Sequence, residues 1–279
     1  MTKKIDGKEV ARRIAADAIH ERERLGVTPG LAVVLVGDDP ASHLYVRLKE
    51  KACRVAGIDF EKLLFRADAS EESVLRAVAK LNARTDIDAI LVQLPLPVPL
   101  SAERVIAAID PTKDVDGFHP ENVAALRTDN PRIVPGLAAG IMELIRSTGV
   151  TLEKKSALVI ANSAAFYEPL EAVLRPALHD AGFAQPDDAN LVEKSRAADI
   201  LIVAIGRAGF ITGAMLKPGT IVIDVGTNRV GDRIVGDVDA VSAEGVAGHL
   251  TPVPGGVGPV TVALLLRNAV ELCRQRRVS

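Results

Sequence analysis

Four short stretches carry residue types that could do chemistry. In YVRLKEK, Tyr45 and Lys49 stand four apart, so a helix sets both on one face, while Lys51, two further on, faces elsewhere. Taken alone, the pair suits a solvated helix face with a tyrosine at its edge as well as it suits a site. In VQLPLP, Gln93 ends an apolar run just before two prolines. A buried amide must find partners, and the carboxyl end of a parallel strand opens onto the crevice of an α/β protein. In KDVDGFHP, Asp114 and Asp116 flank Val115, and Gly117 allows a turn closed to most side chains. That pattern reads first as an Asx-type turn and second as a ligand contact. Last, TPVPGGVGPVT, residues 251–261, sets prolines and glycines directly ahead of a helix. It is either a rigid loop or backbone held close to a flat ligand, with helix amides open to an anionic group.

The elements that must hold these residues are visible as alternation. Short β-branched runs at 31–37, 89–97, 157–161, 200–206 and 220–226 are separated by helical patterns such as SHLYVRLKEKACRVAGI and SEESVLRAVAKLNA, the second opening with Ser70 and Ser73 near early acids. Continuous apolar strands between helices predict parallel sheets covered on both faces, hence an α/β fold throughout. Turn signals at Asn130-Pro131 and Pro135-Gly136 put a domain junction near residue 135. The last helix starts with Pro259 near its first turn and ends in arginines that suit a helix C-terminus.

Composition narrows the function. A chain of 279 residues, 48% hydrophobic, has room for one large or two ordinary domains. With 34 Lys+Arg against 36 Asp+Glu and no block of like charge, a nucleic-acid surface is not suggested, and the expected partner is a small molecule. The N-terminal MTKKIDGKEVARRIAADAIHERERLG reads as a charged amphipathic helix, and no apolar run approaches the ~18 residues of a membrane span, so no membrane and a cytoplasmic location are expected. Cys53 and Cys273 belong to no C-x-x-C or Cys/His cluster and read as buried thiols, with no metal implied.

Taken in order, ASHLYVRLKEKACRVAGI, ILVQLPLP, KDVDGFHPENV, IVIDVGTNR, IVGDVD and TPVPGGVGPVTVALLL closely resemble the bifunctional methylenetetrahydrofolate dehydrogenase/methenyltetrahydrofolate cyclohydrolase family. The resemblance implies two domains with parallel sheets. A folate-binding catalytic domain covers 1–134 and is completed by the C-terminal helix 259–279, and a Rossmann-like domain covers 135–258. It further implies a homodimer and folate bound in a cleft between the domains. Residue by residue, Lys49 becomes the catalytic lysine and Gln93 its hydrogen-bond partner, Tyr45 covers the pterin ring, and Asp116 anchors pterin nitrogens. Gly255, Gly256, Pro259 and Thr261 match the loop that closes the folate pocket.

The same resemblance breaks at the dinucleotide loop. Where the family has G-x-S-x-x-V-G-x-P, this chain has Ala161, Ser163, Phe166, Tyr167, Glu168 and Pro169. Both glycines are gone, Tyr167 stands where backbone should approach pyrophosphate, and Glu168 brings negative charge towards a helix N-terminus. Downstream, Pro186, Asp187 and Asp188 argue for a shortened or missing strand, and PGLA replaces the family's P-C-T-P at 135–138. The expectation is therefore a 5,10-methenyltetrahydrofolate cyclohydrolase with a degenerate cofactor site, NADP disfavoured and dehydrogenase activity weak or lost. The alternatives are a fully bifunctional NADP-dependent enzyme, a non-catalytic folate-binding or hetero-oligomerising paralogue, and a related reaction on another one-carbon folate.

Overall fold

A computed structural model describes residues 1–128 and 131–278, so Asn130 of the Asn130-Pro131 turn signal lies outside the described residues. In chain order, β1 (Lys3–Lys4) and α1 (Gly7–Leu25) lead into β2 (Gly30–Val36), α2 (Pro40–Ala56), β3 (Asp59–Phe65), α3 (Glu71–Ala83) and β4 (Ala89–Val92). Then come α4 (Ala102–Ala107), α5 (Pro120–Ala125) and α6 (Gly136–Arg146). Strand and helix alternate again through β5 (Ser156–Ala161), α7 (Ala164–Leu174), β6 (Asp180–Ala184), α8 (Leu191–Ala197), β7 (Ile200–Ala204) and β8 (Ile221–Asp224). The hairpin of β9 (Asn228–Val230) and β10 (Arg233–Val235), α9 (Ala240–Ala243), β11 (His249–Leu250) and α10 (Val257–Arg277) complete the chain. Two compact units result: an N-terminal unit of Arg13–Gly136 with Val262–Ser279, and a central unit of Met1–Arg12 with Leu137–Thr261.

The N-terminal unit is built on a parallel sheet in the order β3-β2-β4. Every residue of β2 is buried, and the two-residue period of a strand sends its side chains to opposite faces. Leu31, Val33 and Leu35 pack with Val46 and Cys53 of α2 and with Leu265, Ala269 and Leu272 of α10. Ala32, Val34 and Val36 pack with Val74, Val78 and Leu81 of α3 and with Val105 of α4. Each buried Leu or Val contributes about 1.5–3 kcal/mol, so this strand is the spine on which the site hangs. The helix α2 is firmly started and stopped: Asp39 accepts from Ser42 N at 2.8 Å, Pro40 opens the first turn, and Gly57 closes the helix at φ 68°. The edge strand β3 has no counterpart among the predicted runs, because its half-exposed DFEKLLF shows no apolar run.

The central unit carries a sheet in the order β1-β11-β8-β7-β5-β6, parallel at every pairing. The architecture is α/β with two parallel sheets, the second Rossmann-like. Within it the strand is not missing: β6 is present and pairs with β5 from Ser156↔Asp180 to Ile160↔Ala184. Pro186, Asp187 and Asp188 begin only after it has ended, in a turn closed by Asp188 N donating to Gln185 O. Pairing to the buried β5 makes this strand, although its own sequence has no alternation. Both cysteines are buried and free, and no helix among the described residues is long and apolar enough to cross a membrane.

Candidate functional site

Lys49 and Gln93 are brought together at the carboxyl end of the N-terminal sheet. The strand β4 ends at Val92, but Gln93 N still donates to Val34 O at 2.9 Å as the chain leaves the ladder. The Gln93 amide then donates from Nε2 to Leu94 O at 2.7 Å, which leaves Oε1 to accept from Lys49 Nζ at 2.9 Å. The amide is thus oriented by its own neighbour, with its oxygen towards the amine. Burial pushes Lys49 below the usual lysine value, against the pull of Asp116 and Cys53. Asp116 is pushed up by burial, against Lys49 and with Asp114. For both groups desolvation outweighs the facing charge, so Lys49 holds its proton less tightly than a surface lysine. An amine in that condition gives up its proton more readily than a surface lysine, which suits it to proton transfer. Tyr45 lies one turn before Lys49 on α2 and is 38% exposed.

Asp116 sits in a turn that the sequence pattern anticipated in part. Asp114 accepts from Gly117 N at 3.2 Å, His119 N at 2.7 Å and Asn122 Nδ2 at 3.0 Å, and Gly117 takes φ 74°. Lys113, which sequence reasoning missed, is buried and donates from Nζ to the carbonyls of Leu81, Asn82 and Arg84 at the end of α3. Asn268 of α10, also missed, donates to Val115 O and Val134 O. A lone amide in the apolar ALLLRNAVELC was the available signal.

The remaining candidates belong to the central unit. Gly255 takes φ 107°, and a Cβ on Gly256 would meet Pro252 O at 2.7 Å and Thr251 Cβ at 2.8 Å, so this loop tolerates no side chain there. Pro259 lies in the first turn of α10, and Thr261 Oγ1 donates to Gly258 O at 2.8 Å. The strand β5 ends at the buried Ala161, and the chain passes to Asn162, whose Nδ2 donates to Ile205 O at 3.0 Å. Ser163 caps α7 by position without a side-chain bond, and the first turn holds no acid. Behind these loops stand two buried carboxylates that chemistry-first reading overlooked. Asp237 accepts from the amides of Ile205, Gly206 and Arg207, and Asp224 from those of Gly226, Asp237 and Val238. Burial pushes Asp224 up to about 6. Among the described residues, no group of His, Cys, Asp and Glu could hold a metal ion.

Residues 5–116 match the family model for the catalytic domain of tetrahydrofolate dehydrogenase/cyclohydrolase, and residues 135–277 match the one for its NAD(P)-binding domain. The chain belongs to the tetrahydrofolate dehydrogenase/cyclohydrolase family. It is 46% identical over 274 residues to the bifunctional protein FolD of Acidiphilium cryptum, covering 98% of each chain. It is similar to the solved structure of the bifunctional enzyme FolD of Campylobacter jejuni, with a TM-score of 0.94 at 35% identity over 99% of this chain and 100% of that one. For the FolD structure of Trypanosoma brucei complexed with NADP and an inhibitor, the TM-score is 0.93 at 35% identity over 99% of each chain.

These findings overturn the expectation that NADP is disfavoured, since the central unit matches the family's NAD(P)-binding domain and a relative of the same fold was solved with NADP. The physical reason lies in where the replaced side chains go. Tyr167 leaves the loop altogether: its hydroxyl donates to Ala181 O and its ring stacks on Phe183 of β6, with centroids 5.6 Å apart. Glu168 is the fifth residue of α7, beyond the first turn whose amides would meet a phosphate. Residues 162–165 are exposed, so neither replaced side chain covers the loop, and the Ser163 hydroxyl and the first amides of α7 stay available to a dinucleotide.

Proposed function

We propose that the protein is a bifunctional enzyme, an NAD(P)-dependent 5,10-methylenetetrahydrofolate dehydrogenase and 5,10-methenyltetrahydrofolate cyclohydrolase. That it is an enzyme of folate one-carbon metabolism follows from its family. The observation that carries the hydrolytic half is the desolvated Lys49 amine, hydrogen-bonded to the Gln93 amide oxygen at 2.9 Å. Methenyltetrahydrofolate presents a cationic amidine carbon. Water adds there, its oxygen bonding to that carbon while one of its protons passes to neutral Lys49. The carbinolamine then opens: the carbon–N5 bond breaks, N5 takes the proton back from the ammonium, and the hydroxyl proton leaves to solvent as the formyl carbonyl forms. One water is consumed and one proton released.

Gln93 suits this cycle because an amide positions the amine without fixing its charge, whereas a carboxylate would keep it protonated. Asp116 accepts from two donors on the pterin edge, Tyr45 covers the ring, and Gly255, Gly256, Pro259 and Thr261 carry the family's folate-loop pattern. When bound, the dinucleotide would accept a hydride from the methylene carbon. The groups that would hold it are the Ser163 hydroxyl and the first-turn amides of α7, with Ala161 beneath them, Tyr167 turned away and Glu168 further along the helix. In this reading residues 1–134 with the helix 259–279 serve folate, and residues 135–258 serve the dinucleotide. A cytoplasmic location and a homodimer belong to the same reading, the homodimer supported by the exposed stripe of Leu44, Leu48 and Val55 on α2.

The test follows two absorbances. Decay of methenyltetrahydrofolate should be accelerated by the wild-type chain and not by Lys49→Ala, and methylenetetrahydrofolate should reduce NADP or NAD in the presence of the wild type. No acceleration of hydrolysis sinks the cyclohydrolase reading. Hydrolysis without reduction of either dinucleotide sinks the dehydrogenase half.

A further inference from the structure

Asp116 differs from the other polar groups of the proposed folate site. Lys49 and Asp114 reach it by charge, and among the described residues no hydrogen bond fixes its carboxylate. Its aim is therefore set by the backbone on either side. Upstream, Lys113 O accepts from Ile90 N at 2.7 Å and Val115 N donates to Ile90 O at 3.3 Å, which ties the approach to β4. Downstream, the amides of Gly117 and His119 turn inward onto the Asp114 carboxylate at 3.2 and 2.7 Å. Asn122 bonds the same carboxylate at 3.0 Å, and Arg132 Nη1 donates to Asn122 Oδ1 at 3.2 Å. From the opposite side Asn268, only 4% exposed, reaches out of α10 to the carbonyls of Val115 at 3.1 Å and Val134 at 3.2 Å.

We propose that Asp114 and Asn268 are positioning residues that hold Asp116 aimed at the paired donors of the pterin edge, one from inside the turn and one from the last helix. The inference rests on the folate reading above. Asp114 itself is spent: its oxygens accept bonds from Gly117 N, His119 N and the Asn122 amide of α5, and it lies buried, so it is not the ligand contact. Removing it orphans two inward amides, one of them on the left-handed Gly117. Replacing Asn268 by an apolar side chain orphans two carbonyls, and the backbone that carries Asp116 then relaxes towards water. A carboxylate without side-chain support cannot resist that shift, and two-donor recognition is sensitive to angle.

A four-variant cycle tests this: wild type, Asn268→Leu, Asp116→Ala and the double variant, each measured for methenyltetrahydrofolate hydrolysis. Asn268→Leu is expected to raise KM about tenfold, the scale of one ordinary hydrogen bond, with a smaller change in kcat. In the Asp116→Ala background the same substitution should add nothing further, because its effect passes through Asp116. An unchanged KM in Asn268→Leu, or its full factor repeated on top of Asp116→Ala, overturns the proposal while leaving the folate reading intact. Asp114→Asn, which keeps the shape but exchanges an acceptor for a donor, is run through the same cycle, so that a folding failure of one variant still leaves a reading from the other. A wild-type chain that does not hydrolyse the substrate at all overturns both readings, and it shows this before any variant is made.

Discussion

At the scale of single residues, the proposed hydrolysis turns on whether Lys49 can be neutral at the working pH. Its depressed pKa predicts that kcat/KM for hydrolysis rises with pH through a value below that of ordinary lysine, since the neutral amine takes the proton from water. A pH–rate profile checks this, and a limb at the ordinary value would mean that burial does not act on the working enzyme. Gln93→Glu should move that limb upward by roughly a unit or more, because a facing carboxylate favours the ammonium, and should slow hydrolysis at neutral pH. The spacing of Tyr45 and Lys49 and the position of Gln93 before two prolines were legible in the sequence, because each depends on local geometry. Lys113 and Asn268 were not: their partners are carbonyls on α3, on Val115 and on Val134, which no local pattern links to them.

At the scale of elements, the instructive pair is α7 and β6. The loss of two glycines read as a degenerate cofactor site, but a side chain on a helix can leave the loop its backbone helps to form, and Tyr167 packs sideways onto β6. Tyr167→Phe should therefore lower stability by about 1 kcal/mol in urea unfolding, through the lost bond to Ala181 O, while the dinucleotide Kd measured by calorimetry stays within about twofold. A Kd weakened about tenfold would instead place the tyrosine in the cofactor site. Strands β2, β4, β5, β7 and β8 announced themselves as apolar runs because nearly every residue in them is buried. The edge strands β3 and β6 stayed hidden because the ladder of a buried neighbour makes them, and that is a non-local fact.

At the scale of the whole molecule, Asp224 makes stability depend on pH in an unusual direction. Its folded pKa of about 6 lies above the unfolded value, so the native state binds the proton more tightly. Stability should rise as pH falls from 7 through 6 towards 4, by up to about 3 kcal/mol, and Asp224→Asn should flatten that slope. Denaturant titrations at both ends of the window decide it, and equal slopes in the two proteins would exclude Asp224 as the cause. Assembly offers a separate check of the proposed dimer: Val55 is 73% exposed on α2, and Val55→Glu is expected to sediment as a monomer and the wild type as a dimer.

The N-terminal unit draws on residues from Val262 onward, and its core contains Leu265, Leu266, Ala269 and Leu272 of α10. On the ribosome, Arg13–Gly136 emerges first yet lacks that wall until Leu137–Thr261 has been synthesised, a wait on the order of ten seconds at ordinary elongation rates. The segment translated second can therefore reach its native state first. A nascent chain stalled before Val262 would display the bare apolar side of β2 to whatever chaperones attend it, and a nonsense codon there would erase the lysine chemistry proposed more than two hundred codons upstream.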